Sequence, residues 1–199
     1  MGLLDGKVAI ITGAGGGLGR THALLFAQEG ARVVVNDLGG TMDGSGGGNA
    51  MADQVVAEII AAGGEAIANH GSVSNEDDAQ RMVNDAVAKW GRLDILVNNA
   101  GILRDKTLKK LEAHDFDIVL DVHARGTYLC ARAAALKMME LGNGGAIIST
   151  SSIAGLKGNF GQTNYACAKA GIAGMNRVWA MELKRAGIRC NVIAPMAKT

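Results

Sequence analysis

Lys7-Val8-Ala9-Ile10-Ile11-Thr12, followed at once by Gly13-Ala14-Gly15-Gly16-Gly17-Leu18-Gly19, is the stretch on which the fold turns. The first six residues are short, β-branched and almost all apolar, as expected of a strand covered on both faces. A glycine turn between that strand and a following helix lets backbone N–H groups and a helix N-terminus approach a pyrophosphate. Elsewhere such a cluster would be an ordinary turn; after the first strand it reads as a dinucleotide-binding fingerprint. Cofactor contacts are therefore expected from Gly13, Gly16, Gly17, Leu18 and Gly19.

Working outward, similar apolar runs recur at Arg32–Asn36, Glu65–Asn69, Asp94–Val97, Ala146–Ser149 and Arg189–Ala194, with helical patterns between them. The clearest helix places Ala79, Met82, Val83, Ala86, Val87 and Trp90 on one face, introduced by Ser74 and Asp77 in capping-box spacing. Strands alternating with such helices imply right-handed βαβ units. The expected architecture is α/β, a doubly wound Rossmann-type parallel sheet with helices on both faces, in one domain spanning residues 1–199. Gly39–Asn49 breaks the alternation and is expected to be a loop, either covering the adenosine half of a cofactor or simply a flexible insertion.

Composition narrows the partners. With 48% hydrophobic but 4% aromatic residues, 29 Gly and one Pro, the core must be aliphatic and closely packed. A net charge of +1 without a basic run points away from nucleic acid and from an anionic membrane surface. No apolar run approaches the ~20 residues that span a bilayer. Cys130, Cys167 and Cys190 lack CxxC spacing, so they are expected to be buried free thiols in a cytoplasmic, reducing setting. His22, His70 and His114 show no metal-ligand spacing, and no metal is expected.

Two further places carry chemistry. Asp37 follows the second strand about twenty residues beyond the turn, where a carboxylate can accept ribose hydroxyls and repel a 2′-phosphate. NAD is thus expected over NADP, with Arg20, inside the first helix, carrying less weight. Tyr165 and Lys169 are four apart in a helical segment and share one face. A nearby ammonium and a positive nicotinamide can stabilise a tyrosinate at lower pH, and Ser152, at a strand end, can donate to a substrate oxygen.

These residues together resemble the short-chain dehydrogenase/reductase family over essentially the whole chain. The family's Thr-Gly-x-x-x-Gly-x-Gly is Thr12, Gly13, Gly17 and Gly19; its Asn-Asn-Ala-Gly is Asn98 to Gly101; its Tyr-x-x-x-Lys is Tyr165 and Lys169. The resemblance implies Tyr165 as proton donor or acceptor, Lys169 as ribose ligand and phenolate stabiliser, and Ser152 as donor to the substrate oxygen. It also implies cofactor contacts from Ser72, Val73 and Asn99, and a homo-oligomer.

Val33–Gly40, Asn98–Asp105 and Gly158–Tyr165 are similar, more narrowly, to the (3R)-hydroxyacyl-CoA dehydrogenase domain of peroxisomal multifunctional enzymes and its bacterial relatives. A 3-hydroxyacyl thioester is then the expected substrate; a ketoacyl-carrier-protein reductase, a steroid or polyol dehydrogenase, and a non-catalytic NAD-binding protein are the alternatives. Two departures stand out. His123 occupies the place of a proton-relay asparagine and either holds a water or titrates, and Pro195-Met196 replaces the family's Pro-Gly. The chain also stops at Thr199, where the family continues into a substrate-covering segment, so the domain is expected to be truncated after its sixth strand.

Overall fold

The computed structural model describes residues 2–48 and 50–196. Six parallel strands, β1 (Val8–Thr12), β2 (Arg32–Asn36), β3 (Glu65–Asn69), β4 (Ile95–Asn98), β5 (Gly145–Thr150) and β6 (Ile188–Ile193), form one sheet in the order β3-β2-β1-β4-β5-β6. Every expected strand is present, with ends displaced by a single residue at most. The helices between them are α1 (Gly17–Gln28), α2 (Ala50–Ala61), α3 (Glu76–Trp90), α4 (Ala113–Leu120), α5 (Gly126–Leu141), α6 (Ile153–Lys157) and α7 (Thr163–Glu182). A π-helical turn, Asp121–Arg125, joins α4 to α5.

Alternation along the strands divides the core into two layers. Ala9, Ile11, Val33, Val35, Ile95 and Val97 face α1 and α2, meeting Ala23, Ala52, Val55 and Ile59. Val8, Ile10, Val34, Leu96 and Ile147 face the other way, against Met82, Val83 and Ala86 of α3 and Leu129, Ala134 and Met138 of α5. Burial on both faces is why these strands read as continuous apolar runs.

Chain order reverses between β1 and β4, so the loops leaving these two strands diverge and open a crevice at the carboxyl edge of the sheet. The glycine turn, Asp37, Asn99 and the residues after β5 all lie on that edge.

Two local expectations are corrected. Helix α3 is capped by Asn75, whose side chain accepts from Asp78 N at 3.0 Å; Ser74 instead pairs its hydroxyl with Ser72 at 3.0 Å. The helix starts one residue later than the capping-box spacing implied, and that puts the Asn75 amide at its mouth. Of the three cysteines only Cys130 is buried; Cys167 points out of α7, and Cys190 lies half-buried on the edge strand β6, though all three are free.

Leu96 is 1% exposed inside the α3/α5 layer. Leu96→Ala should cost about 2–5 kcal/mol in urea unfolding. Leu3→Ala, at a 90% exposed position, should change stability by less than about 0.5 kcal/mol. Equal losses at both positions would contradict the two-layer core.

Candidate active site

The turn after β1 is closed by contacts that exclude side chains. A Cβ on Gly19 would stand 2.0 Å from Gly13 O, and one on Gly13, whose φ is +62°, would stand 2.7 Å from Ala100 Cα. Helix α1 begins at Gly17 behind Gly16, with no side-chain cap and no acidic residue in its first turn. Its orphan N–H groups and positive dipole end are therefore not neutralised from within the chain.

Asp37 stands beside this turn. Its Oδ2 accepts from Gly15 N at 2.8 Å and its Oδ1 from Gly39 N at 2.7 Å, which fixes the carboxylate while leaving each oxygen a second lone pair. Arg20 is ion-paired with Glu58 of α2. Asn99 spends its amide protons on Thr12 O at 3.1 Å and Gly13 O at 3.0 Å, so its side chain braces the turn. Ser72 and Val73 follow β3 on the same edge. Ser72 N donates to Asp78 at 2.8 Å, and Val73 is buried against Gly126.

Ser152, Tyr165, Lys169 and His123 converge beyond β5. Ser152 caps α6, accepting from Ala154 N at 3.2 Å, and lies close enough to Tyr165 to oppose the rise of its pKa. Lys169 Nζ lies 5.4 Å from the Tyr165 ring centre and donates to Thr150 O at 2.7 Å. His123 meets the Tyr165 ring edge-on with centroids 5.1 Å apart. His123 lies buried in the π-helical turn, an irregularity frequent at functional sites.

The protonation states follow from burial. Lys169 is only 3% exposed, and desolvation lowers its pKa to about 8. His123 is lowered to about 3, first by burial and then by the Lys169 charge, against a smaller opposing effect of the Ile102 backbone. It is neutral throughout the working pH range, so of the two expected roles titration is disfavoured. Its Nε2 lies 2.8 Å from Ile102 O and 3.0 Å from Ile102 N, so a neutral ring satisfies one of them in either tautomer. For Tyr165, burial raises the pKa, Ser152 opposes this, and Asp105 adds to the rise. Burial, as the largest effect, therefore keeps Tyr165 a phenol in the protein alone, against the tyrosinate that the Tyr/Lys spacing suggested.

Among the described residues, His123 Nδ1 and Thr150 Oγ1 are buried without a partner, one on a ring that feels the Lys169 charge and the other on the residue Lys169 binds. These orphans, the uncapped α1 terminus and the Cβ-excluding turn fit a polar ligand with a phosphate-bearing and a hydroxyl-bearing part.

Residue patterns missed one group. Asn164, 0% exposed, donates to Arg104 O at 3.1 Å and Asp115 O at 3.0 Å and accepts from Tyr165 N at 2.8 Å. Asp115, also buried, pairs with Lys106 at 2.5 Å and Arg104 at 3.4 Å. An amide directly before the tyrosine at a helix start was the available signal; the partners far along the chain were not visible.

The short chain dehydrogenase family model matches residues 7–198. The chain belongs to this family. The family is one of oxidoreductases that act on CH–OH groups with a nicotinamide cofactor. The chain is 52% identical over 97% of its length to a peroxisomal multifunctional enzyme type 2 of Drosophila melanogaster, of which it spans 32%. It is 42% identical to a 3-oxoacyl-[acyl-carrier-protein] reductase of Synechocystis, covering 98% of this chain and 75% of that one. A crystal structure of a short chain dehydrogenase from Mycobacterium avium superimposes with a TM-score of 0.91 at 48% identity, over all of this chain and 72% of the other. Among the described residues no helix is long and apolar enough to cross a membrane, and no group of potential metal ligands occurs.

The Lys169 shift gives a signed test. Between pH 8 and 10.5 the unfolded lysine holds a proton that the folded one has released, so folding strengthens as pH rises through this window. Relative to Lys169→Met, the wild-type protein should gain stability from pH 7 to pH 10.5, by an amount on the order of 3 kcal/mol. Urea unfolding of both proteins across pH reads it; a flat difference would mean that Lys169 is solvated.

Proposed function

We propose that the protein oxidises the hydroxyl of a (3R)-hydroxyacyl thioester, with coenzyme A as the thiol, using NAD. The observation that carries the reaction type is the convergence of Ser152, Tyr165 and Lys169 around one point at the carboxyl edge of the sheet, next to the glycine turn. The substrate class rests on the narrow sequence likeness to multifunctional enzymes, of which the chain spans only a part.

The bound nicotinamide supplies the hydride acceptor. Ser152 donates to the substrate oxygen and holds it against Tyr165. Tyr165 takes the hydroxyl proton as the carbinol C–H bond breaks, and the carbonyl forms. Lys169 would hold the ribose hydroxyls and lend its charge to the phenolate. His123, neutral, would hold a water through Nδ1, and that water would carry the released proton from the tyrosine and lysine toward solvent. Asp37 takes the adenosine ribose hydroxyls on its remaining lone pairs and disfavours a 2′-phosphate, which Arg20 is not free to compensate.

The single-domain organisation over residues 1–199 is part of the same reading; it is supported by the one sheet with two shared core layers. Exposed Tyr128, Leu136, Met139, Val178 and Met181 on α5 and α7 support a homo-oligomer. The three free thiols suit a cytoplasmic setting, while the names of several relatives place those proteins in peroxisomes.

The second reading, reduction of a 3-oxoacyl-carrier-protein, is favoured by the Synechocystis relative. An initial-rate panel of (3R)- and (3S)-hydroxyacyl-CoA, a steroid and a sugar alcohol, each with NAD and NADP, separates them. The expected outcome is NAD-linked oxidation of the 3R epimer; activity restricted to the 3S epimer, or higher efficiency with NADP, would sink the proposal.

Tyr165→Phe keeps the ring against His123 but removes the proton acceptor. Turnover should fall by about 10²- to 10⁴-fold or more while NAD affinity, measured by fluorescence titration, stays near normal. A Phe variant with near-normal turnover would make Tyr165 a packing residue only.

A further inference from the structure

The loop between β2 and α2 is ordered in a way that the site described so far does not use. Its base is pinned where Gly39 N donates to Asp37 Oδ1 at 2.7 Å and Gly48 N donates to Leu38 O at 3.1 Å. Its tip is a compact turn: Thr41 N donates to Ser45 O at 2.8 Å, and Asp43 Oδ1 accepts from the Ser45 hydroxyl at 2.7 Å and the Thr41 hydroxyl at 2.5 Å.

The tip is anchored on the far side of the crevice. Leu103 N donates to Met42 O at 2.8 Å, Arg104 Nε donates to Asp43 O at 2.5 Å, and a Cβ on Gly44 would touch the Ile102 side chain at 3.1 Å. The anchor is itself rigid. Ile102 is held by His123, and Arg104 is held through its carbonyl by Asn164 and through its guanidinium by Asp115.

Topology decides what this means. In the sheet β1 lies between β2 and β4, and the glycine turn leaves the carboxyl end of β1. A segment that starts at the end of β2 and is fastened to residues beyond β4 must cross that end. We infer that residues 41–45 form a strap across the dinucleotide crevice, so that a bound nicotinamide dinucleotide is enclosed between the glycine turn and the strap and leaves only when the Met42–Leu103 and Asp43–Arg104 contacts open. The inference rests on the dinucleotide reading of the crevice. Residues 41–45 and Arg104 are then part of the cofactor site, and the strap ties retention of the cofactor to the segment that also carries the Asn164 support of Tyr165.

The test is the rate of NADH release, followed by stopped-flow fluorescence after displacement with excess NAD. The first variant lacks residues 41–46 and keeps Gly39, Gly40, Gly47 and Gly48. The base is already closed, since a Cβ on Gly39 would lie 1.7 Å from Gly48 O, so the excision spans no gap. Release should be at least about tenfold faster, as expected when one or two net hydrogen bonds no longer hold the strap shut. Thr41→Val, which removes only the hydroxyl bridging Asp43 and Ser45, should speed release about threefold on the same scale. In the wild-type protein, amide exchange across residues 40–48 should slow when NADH is added.

A correctly melting excision variant that releases NADH within about twofold of the wild-type rate overturns the strap. If the excision variant does not fold, unchanged release from Thr41→Val together with unchanged exchange in the loop overturns it equally. A wild-type protein that binds neither NADH nor NADPH overturns the dinucleotide reading as well, and direct fluorescence titration distinguishes that failure from the others.

Discussion

The site depends on the Thr12 side chain. At the end of β1 its hydroxyl donates to Val97 O at 3.4 Å and accepts from Asn99 N at 3.0 Å and Ala100 N at 3.1 Å. Asn99 answers by donating to the carbonyls of Thr12 and Gly13. These bonds clamp β1 to the chain leaving β4 where the topology parts them, and the buried backbone groups of both loops are satisfied at the same stroke. The glycine turn, the wall at Ala100–Ile102 and the hold on His123 all hang from this junction.

A charge buried beyond the junction sets the electrostatics. Lys169 is nearly inaccessible, has no carboxylate partner among the described residues, and is held by the Thr150 carbonyl and buried beside a ring kept neutral. Such an ammonium is costly to desolvate, which is why its pKa falls. The same cost makes the site ready for a partner: groups that bring hydroxyls and negative phosphate to it recover part of the lost solvation. The unpartnered Nδ1 of His123 and Oγ1 of Thr150 belong to the same unfinished network. Perturbed groups of this kind gather where chemistry is done.

Rigidity reaches Tyr165 by a second route. Asn164 joins the start of α7 to Arg104 and Asp115, and Asp115 is neutralised by Lys106 and Arg104. A fully buried amide with all three of these bonds made fixes the first turn of a helix more tightly than an exposed cap does, because breaking any one of them leaves a polar group unsatisfied out of water. The loop that leaves β2 is fastened to this same cluster, so cofactor side and proton-transfer side share one support.

Local chemistry determined much of this protein from the sequence alone. Strand positions were legible because doubly buried parallel strands must be apolar throughout, and the helix positions of Tyr165 and Lys169 because four residues make about one turn. The glycine turn was legible because only glycine tolerates the approach of Gly13 to Ala100 and of Gly19 to Gly13. What the tertiary structure alone decided were the long-range pairings: that Lys169 binds Thr150 O while burial raises the Tyr165 pKa, that burial lowers the His123 pKa, that Asn164 reaches Arg104 and Asp115, and that the Gly39–Gly48 segment, for which both a cover and a flexible insertion were open, crosses to Leu103 and Arg104. The physical reason is common to all four. Burial and hydrogen-bond geometry depend on which distant segments meet, and a residue's type and spacing carry its local conformational preference but not the identity of its neighbours across the fold.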